Sequence, residues 1–154
     1  MEIDVVLCNH AETAENRLYI AGGGVNLYFV PPSVPHVITV GLGCVLHIPY
    51  LETNESHMLK VTLIDEDAEP VAPWSAEVDL PSIASEQLFN IGRPPILEVG
   101  DEQTIAMALN FANLPLRSTG LYEFEVTIDD SVMRRMPFRI AIAPLTARSH
   151  GANR

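Results

Sequence analysis

Apolar side chains recur at every second position along much of this chain, rather than with the period of about 3.6 residues that marks a helix. The longest such run extends from residue 38 to residue 48. Alternation of this kind is typical of a β-strand with one buried face. It recurs at residues 59–63, 105–111, 122–128 and 138–142. The sequence therefore predicts well-defined strands in these segments and places Leu109 in the core.

Weaker β patterns and frequent turn residues complete the predicted fold. Apolar, β-branched or aromatic residues at 3–9 and 17–29 predict earlier strands, and a short strand is expected near 75–80. Most of the twelve prolines lie between the apolar runs and exclude long helices, so residues 82–89 form one helical turn at most. About seven or eight short strands joined by turns predict an all-β, two-sheet antiparallel β-sandwich.

Two local features favour an immunoglobulin-like sandwich. Tyr122 stands at the start of a late strand, where its hydroxyl could bond back across a corner of the chain. Asp129-Asp130 between two apolar runs predicts a terminal hairpin. The length fits a single domain over residues 1–146, and the small, polar residues 147–154 predict a flexible tail.

The charge of the chain excludes two classes of partner. Twenty acidic residues against nine basic ones give a net charge of −11. Nucleic-acid binding needs a basic surface, and an anionic membrane repels an acidic one. Residues 1–7 lack the basic start and long apolar run of a secretory signal. We therefore expect a cytoplasmic protein that binds neither nucleic acid nor membrane.

Cys8 and Cys44 are too few for a disulfide framework, which fits a reducing compartment. We expect both to be small, buried strand residues. They could form a redox pair only if their strands are neighbours, because bridged Cα atoms lie within about 7 Å of each other. Cys8 and His10 lack a third orienting group, so a thiolate nucleophile is not expected.

Short motifs spread from about residue 5 to about residue 140 resemble those of a family of small bacterial proteins, frequent in actinobacteria, that is defined as a domain of unknown function. They are Val6-Leu7-Cys8-Asn9-His10-Ala11-Glu12, Leu18-Tyr19-Ile20-Ala21-Gly22-Gly23-Gly24, Leu63-Ile64-Asp65-Glu66-Asp67, Ile91-Gly92-Arg93-Pro94-Pro95, Ala108-Leu109-Asn110, Leu114-Pro115-Leu116 and Gly120-Leu121-Tyr122. The resemblance implies a β-rich, stand-alone cytoplasmic domain and supplies no activity to transfer. Family members carry a glycine in the acidic turn where this chain has Ala68, which argues against a tight hairpin there.

The candidate ligand-binding residues lie in loops. Arg93 offers a planar fork for a carboxylate or phosphate in a long connection, residues 81–102, where Pro94-Pro95 holds the chain extended. The alternative is that Arg93 pairs with an acidic neighbour and ties the loop to the sheet. Asn90 belongs to the same loop, and Asn9, His10 and Glu12 form a second candidate site.

A metal site is the alternative function for the His10 segment. His10 and Glu12 share one face of an extended segment, and His47 and His57 could complete a cluster with them. No closely spaced Cys/His set is present, and no cofactor is implied. The acidic turns at 65–67 and 129–130 offer oxygens for Ca²⁺, but the predicted strand order places them at opposite ends unless the strand near 75–80 is absent.

Three further segments complete the analysis. The glycines at 22–24 lead into β-structure without a following lysine, which predicts a bend rather than a phosphate loop. The aromatic run at 27–32 is either part of the core or an exposed edge. The Ala106–Ala108 face has too few polar side chains to be fully exposed to water, so a loop or another chain is expected to cover it.

With no catalytic motif present, we expect a non-enzymatic binding module that holds a protein or a small anionic partner through its loops. A metal-dependent site and a structural subunit of a homo-oligomer remain the alternatives.

Overall fold

A computed structural model describes residues 1–77 and 79–144, and this part of the chain contains ten β-strands, one short 3₁₀ turn and no α-helix. The strands are β1 (Glu2–Cys8), β2 (His10–Ala14), β3 (Arg17–Ala21), β4 (Leu27–Val30), β5 (His36–Pro49), β6 (Ser56–Asp65), β7 (Ala84–Asn90), β8 (Glu102–Leu116), β9 (Gly120–Ile128) and β10 (Ser131–Ile142), and the 3₁₀ turn is Tyr50–Glu52. The predicted all-β class is confirmed, although the strands outnumber the predicted seven or eight. The predicted tail at 147–154 lies outside the described residues. Nowhere in the described chain is there a helix with the length and apolarity to span a membrane.

The strands form three sheets. A three-stranded sheet has the order β1-β5-β8, a five-stranded sheet has the order β4-β10-β9-β6-β7, and β2 and β3 form a hairpin. Every paired strand in these sheets is antiparallel to its neighbour except β4, which runs parallel to β10. The prediction of purely antiparallel sheets is wrong at this pair, because the four residues of β4 approach the sheet in the same direction as the last strand.

The two larger sheets share one hydrophobic core. Alternate residues of β5 and β6 point into it, and Leu109 from β8 is buried there as predicted. The rings of Phe111 on β8 and Phe124 on β9 stack with centroids 5.0 Å apart, which links the two sheets directly. Burial of one apolar face from each sheet supplies the main stabilising free energy of such an arrangement.

The connection between β6 and β8 differs most from the prediction. Residues 82–89 do not form a helical turn, because residues 84–90 pair with β6 as β7. The alternation is hidden in the sequence, since the inward positions between Ile83 and Phe89 hold the polar Ser85 and Gln87. The prediction of a strand near 75–80 is also wrong, because the described residues there lie outside any strand.

The β2–β3 hairpin covers the outer face of β5 and β8. Asn110 on β8 donates to the carbonyl of Ala11 at 2.7 Å and accepts from its N–H at 3.0 Å. Asn16 at the hairpin tip donates to the carbonyl of Thr104 and accepts from the N–H of Ala106. Gly43 allows the close approach, because a Cβ there would meet the side chains of the hairpin. The Ala106–Ala108 face of β8 is therefore covered by the β2–β3 hairpin of the same chain.

Both turn features predicted around β9 are present. The Tyr122 hydroxyl donates to the carbonyl of Ser118 at 2.8 Å, which is the tyrosine-corner bond. Asp129 and Asp130 join β9 to β10 with φ of 49° and 64°. Positive φ at both central residues is the geometry of a two-residue hairpin turn.

The acidic turn at Ala68 is tight, contrary to the prediction made from its missing glycine. Ala68 adopts a φ of 62° and donates its N–H to the carbonyl of Asp65 at 3.0 Å. The Asp65 carboxylate accepts from the N–H groups of Asp67 and Glu69, both at 3.0 Å. These bonds hold a left-handed alanine that an isolated peptide would avoid.

Candidate functional site

Two connections meet at one end of the domain, and we call them the loop platform (residues 50–55 and 91–101). The first leads from β5 to β6 and the second from β7 to β8, so each crosses between the two larger sheets. The N–H of Asn54 donates to the carbonyl of Ile91 at 2.7 Å, and that of Tyr50 donates to the carbonyl of Asp101 at 2.9 Å. Backbone hydrogen bonds therefore join the connections into one surface.

Arg93 clamps the loop platform from within. Its Nε donates to Oγ1 of Thr53 at 2.7 Å, and its Nη2 donates to the carbonyl of Tyr50 at 2.7 Å and to that of Thr53 at 3.3 Å. Its guanidinium carbon also lies 3.9 Å from the centre of the Tyr50 ring. The side chain thus ties the long loop down, but it does so through carbonyls and a hydroxyl rather than through a carboxylate. Two nitrogens of the predicted anion fork are engaged within the protein.

The neighbours of Arg93 extend this clamp. Thr53 is buried, and its hydroxyl donates to the carbonyl of Tyr50 at 2.7 Å. The Asn54 side chain accepts from the N–H of Arg93 at 2.9 Å. Asn90, the other predicted residue of this loop, is exposed at the end of β7, and its amide donates to Ser56 at 3.4 Å.

The loop platform carries the three most exposed large apolar side chains of residues 1–77 and 79–144. They are Ile96, Val99 and Leu51, with 86%, 79% and 75% of their surface exposed. Sequence reasoning missed all three as site residues, although the nearby prolines and Gly100 indicated that Ile96 and Val99 lie outside strands. Leu51 lies on one connection and Ile96 and Val99 on the other, so both hydrogen-bonded connections offer exposed apolar surface for a protein contact.

The charge around these apolar residues is acidic. The two connections contain Glu52, Glu55, Glu98 and Asp101, and their one basic residue is the internally bonded Arg93. The amino terminus offsets part of this charge, because it lies 3.0 Å from the Glu52 carboxylate. The surface therefore combines apolar side chains with an anionic rim.

His57 connects the loop platform to the β9–β10 turn. Its Nδ1 lies 2.7 Å from the Asp129 carboxylate and its Nε2 lies 2.9 Å from the carbonyl of Glu52. Burial opposes the charged imidazole, but the hydrogen bonds to Asp129 and to Glu52 outweigh it and raise the pKa of His57. The same bond to His57 lowers the pKa of Asp129. The pair therefore favours an imidazolium–carboxylate contact.

His47 bridges the two edge strands of the three-stranded sheet. Its Nε2 lies 3.1 Å from the Asp4 carboxylate on β1, and its Nδ1 lies 3.3 Å from the Glu102 carboxylate on β8. Hydrogen bonding to Asp4, joined by that to Glu102, raises the pKa of His47. This histidine serves as a cross-strand link on an exposed face.

His10 and Glu12 lie on the outer face of the hairpin. They line a shallow cavity of about 190 Å³ with Tyr19, Ile20 and Ala21. Asn9 lies at the base of the hairpin, where its N–H donates to the carbonyl of Ala21 at 3.0 Å. His10 and Glu12 share this cavity, Asn9 is not among its lining residues, and the hairpin that carries them is separate from the loop of Arg93.

The suggested cluster of His10, His47 and His57 does not form. His47 pairs with Glu2 at the start of β1, whereas His10 follows the far end of that strand. His57 belongs to the other sheet and is bonded to Asp129. Across the part of the chain that the structure describes, no three His, Cys, Asp or Glu side chains are placed to hold a metal ion.

The two cysteines lie on neighbouring strands, but they are not paired with each other in the ladder. Cys8 pairs with Gly41 and Cys44 pairs with Val5, so three residues separate them along the β1–β5 ladder. Both are buried free thiols, and the suggested redox pair is wrong for this geometry. Burial raises the pKa of Cys8 and raises that of Cys44 to about 12, which disfavours a thiolate at either position.

The two acidic turns lie at opposite ends of β6. Asp65 pairs with Tyr122 at one end of the β6–β9 ladder, and Leu59 pairs with Ile128, next to the Asp129 turn, near the other. The predicted separation holds even though residues 75–77 and 79–80 form no strand, because β7 supplies the strand that the order required.

Comparison with known proteins places the chain in a family without assigning it an activity. No curated protein and no solved structure matches it. The family model covers residues 4–141, a span that contains the whole loop platform, the hairpin and Arg93. The chain belongs to a family of unknown function, DUF6941.

Proposed function

We propose that this chain is a non-enzymatic interaction module that holds a protein partner on the loop platform. The observation that carries the proposal is the position of Leu51, Ile96 and Val99, the most exposed large apolar side chains of the described residues, on two hydrogen-bonded connections. A surface that is already ordered loses little conformational entropy when a partner binds. Burial of the three side chains supplies the favourable free energy.

The chemistry of the platform selects the kind of partner. Arg93 is engaged with Thr53 and Tyr50, so recognition of a small anion is the weaker alternative. The surrounding carboxylates favour a partner whose apolar patch is flanked by lysine or arginine. The acidic rim then contributes mainly to the rate and specificity of association.

An immunoglobulin-like sandwich is part of the same proposal. The opposition of β1-β5-β8 to β4-β10-β9-β6-β7 supports it, as does the bond from Tyr122 at the start of β9. In such domains the loops at one end of the sandwich commonly carry the binding residues. The free thiols of Cys8 and Cys44 support a cytoplasmic location, where disulfides are rare.

The test places a photo-activated cross-linking amino acid at position 96 in the native cell. We expect a discrete adduct with one protein, identified by mass spectrometry. The control carries the same amino acid at position 34, because Val34 is also exposed but precedes β5, away from the platform. Identical adducts from both positions, or none from position 96, would argue against the platform.

Titration of the purified partner then measures the energetics. The double variant Ile96→Asp, Val99→Asp should raise the Kd for the partner by at least about tenfold, since hot-spot residues contribute about 2 kcal/mol or more to binding. Val34→Asp should leave Kd unchanged. An equal loss in both variants contradicts the proposed site.

A further inference from the structure

β7 is an edge strand, and none of residues 1–77 and 79–144 forms a strand on its outer side. Among the described residues, β6 alone pairs with it. The N–H of Leu63 donates to the carbonyl of Ile83, and in the ladder that follows, the odd-numbered residues from 85 to 89 direct their backbone groups toward β6. The even-numbered residues from 84 to 90 therefore direct theirs outward. Within the described part of the chain, this leaves a row of backbone donors and acceptors without a strand partner along the seven residues of β7.

β7 lacks the features that usually protect a sheet edge. It contains no proline and no lysine, and its pairing with β6 runs without a bulge. Its one charged residue, Glu86, is paired with Lys60 at 3.0 Å. By contrast, the edge strand β8 has Asn16 bonded to its backbone at Thr104 and Ala106. An edge that is long, regular and unprotected is a template for another strand.

The side chains along this edge are matched to a copy of themselves. Leu88 is 69% exposed and pairs with the exposed Met58 on β6. We propose that a second copy of the chain adds to the sheet at β7, antiparallel, about a twofold axis through Leu88. Leu88 then faces Leu88 of the second copy, and the two methionines extend the apolar row on both sides.

The same register satisfies the polar residues. Glu86 faces Asn90 of the second copy, whose amide can donate to the carboxylate. A twofold axis through Glu86 would instead oppose two carboxylates, which destabilises a strand pair. The register through Leu88 is therefore the favoured one.

Charge explains why a second copy docks at this edge rather than elsewhere. The net charge of −11 makes two copies repel each other over most of their surface. The outward side chains of β7 and its β6 partners include one acid and one base, Glu86 and Lys60, which neutralise each other. The edge is thus a neutral strip on an acidic molecule. The register pairs residues 86–90 of the two copies and does not include Leu51, Ile96 or Val99, so the dimer goes beyond the proposed function.

Sedimentation equilibrium of the full chain tests the dimer. We expect a monomer–dimer equilibrium that shifts toward dimer as salt screens the net charge. Leu88→Lys should yield a monomer that keeps the circular dichroism spectrum of the wild type, because the side chain is exposed and the fold does not depend on it. Val132→Lys, which is also exposed but lies on β10 away from the edge, should remain a dimer. A wild-type monomer up to the solubility limit, or a Leu88→Lys variant that dimerises like the wild type, overturns the proposal.

Cross-linking gives a second measurement that does not depend on a charged variant. Leu88→Cys should form an intermolecular disulfide rapidly, since directly opposed residues of a hydrogen-bonded antiparallel pair have Cα atoms about 5.5 Å apart. Val132→Cys should react slowly. Equal rates in the two variants exclude the register. Because neither experiment needs the protein partner, failure of the dimer leaves the platform proposal intact.

Discussion

Single side chains with bonds to distant backbone hold the candidate site in place. Arg93 contacts residues about forty positions earlier in the chain and joins a guanidinium, a buried hydroxyl and an aromatic ring. Arginine suits this role because its planar fork can reach several acceptors at once. Arg93, which the sequence suggested as a ligand-binding residue, thus holds the loop platform together through internal contacts.

Replacing Arg93 tests this role at the scale of one residue. We expect Arg93→Ala to lower the free energy of unfolding by about 2 kcal/mol, because hydrogen bonds to a charged group are lost. Arg93→Lys should recover little, since it restores neither the fork nor the stacking on Tyr50. Thermal and urea denaturation measure the effect, with the exposed Arg139→Ala as control. An unchanged melting temperature in Arg93→Ala would instead indicate a side chain available to a ligand.

Ala68 gives a second prediction at this scale. A left-handed alanine is strained by about 1 kcal/mol or more, whereas glycine adopts the same φ freely. Ala68→Gly should therefore raise the free energy of unfolding by about 0.5 kcal/mol after the added unfolded-state entropy is subtracted. Ala72→Gly in the same connection is the control and should bring no gain, since Ala72 does not have a positive φ. Equal effects in calorimetry would contradict the strain argument.

At the scale of elements, the β2–β3 hairpin is held to the sheet by two asparagine side chains rather than by a continuous ladder. Asn110 satisfies both backbone groups of Ala11, and Asn16 satisfies backbone groups of β8. Because these four hydrogen bonds join the hairpin to β8, the two carboxamides fix the position of the hairpin over Gly41 and Gly43.

Removal of one carboxamide should loosen the hairpin selectively. We expect Asn110→Ala to cost about 2 kcal/mol, from two hydrogen bonds of about 1 kcal/mol each, and to speed amide exchange across residues 10–21. Asn90→Ala should leave this exchange unchanged, because its one side-chain bond is long and lies on the other sheet. Uniform acceleration over all strands would show that the hairpin is not an independent unit.

At the scale of the whole molecule, His57 and Asp129 join the loop platform to the β9–β10 hairpin. These two residues are 72 positions apart in the chain. The His57 ring also packs against Phe89, with 5.5 Å between the ring centroids. A titratable contact between elements makes the stability of the whole domain depend on pH.

The direction of that dependence follows from the pKa shifts. The pKa of His57 is raised in the folded state, so its contribution is complete below the ordinary value of about 6.5 and is lost as pH rises through the higher folded pKa. The melting temperature should therefore fall as pH rises from about 6.5. His57→Gln should flatten this slope more than His47→Gln, whose ring is linked only between exposed strands. Identical slopes in wild type and His57→Gln would refute the contact's role.

Much of the fold follows from local pattern. The inward residues of β5, β6 and β9, the Tyr122 corner and the Asp129-Asp130 hairpin were predicted, because alternation and turn chemistry act between near neighbours. β7 was missed because its inward Ser85 and Gln87 break the apolar alternation. β-structure was predicted over most of β4, but its parallel pairing with β10 was not, because a parallel partner leaves no local signal.

What the sequence alone determined about this protein is its all-β class, the phase of its main strands and its family. Tertiary structure decided which residues meet: Arg93 with Tyr50 and Thr53, His57 with Asp129, and the hairpin with the alanine face of β8. It also decided which apolar side chains stay exposed, because burial depends on what the rest of the chain covers, and no local periodicity records that.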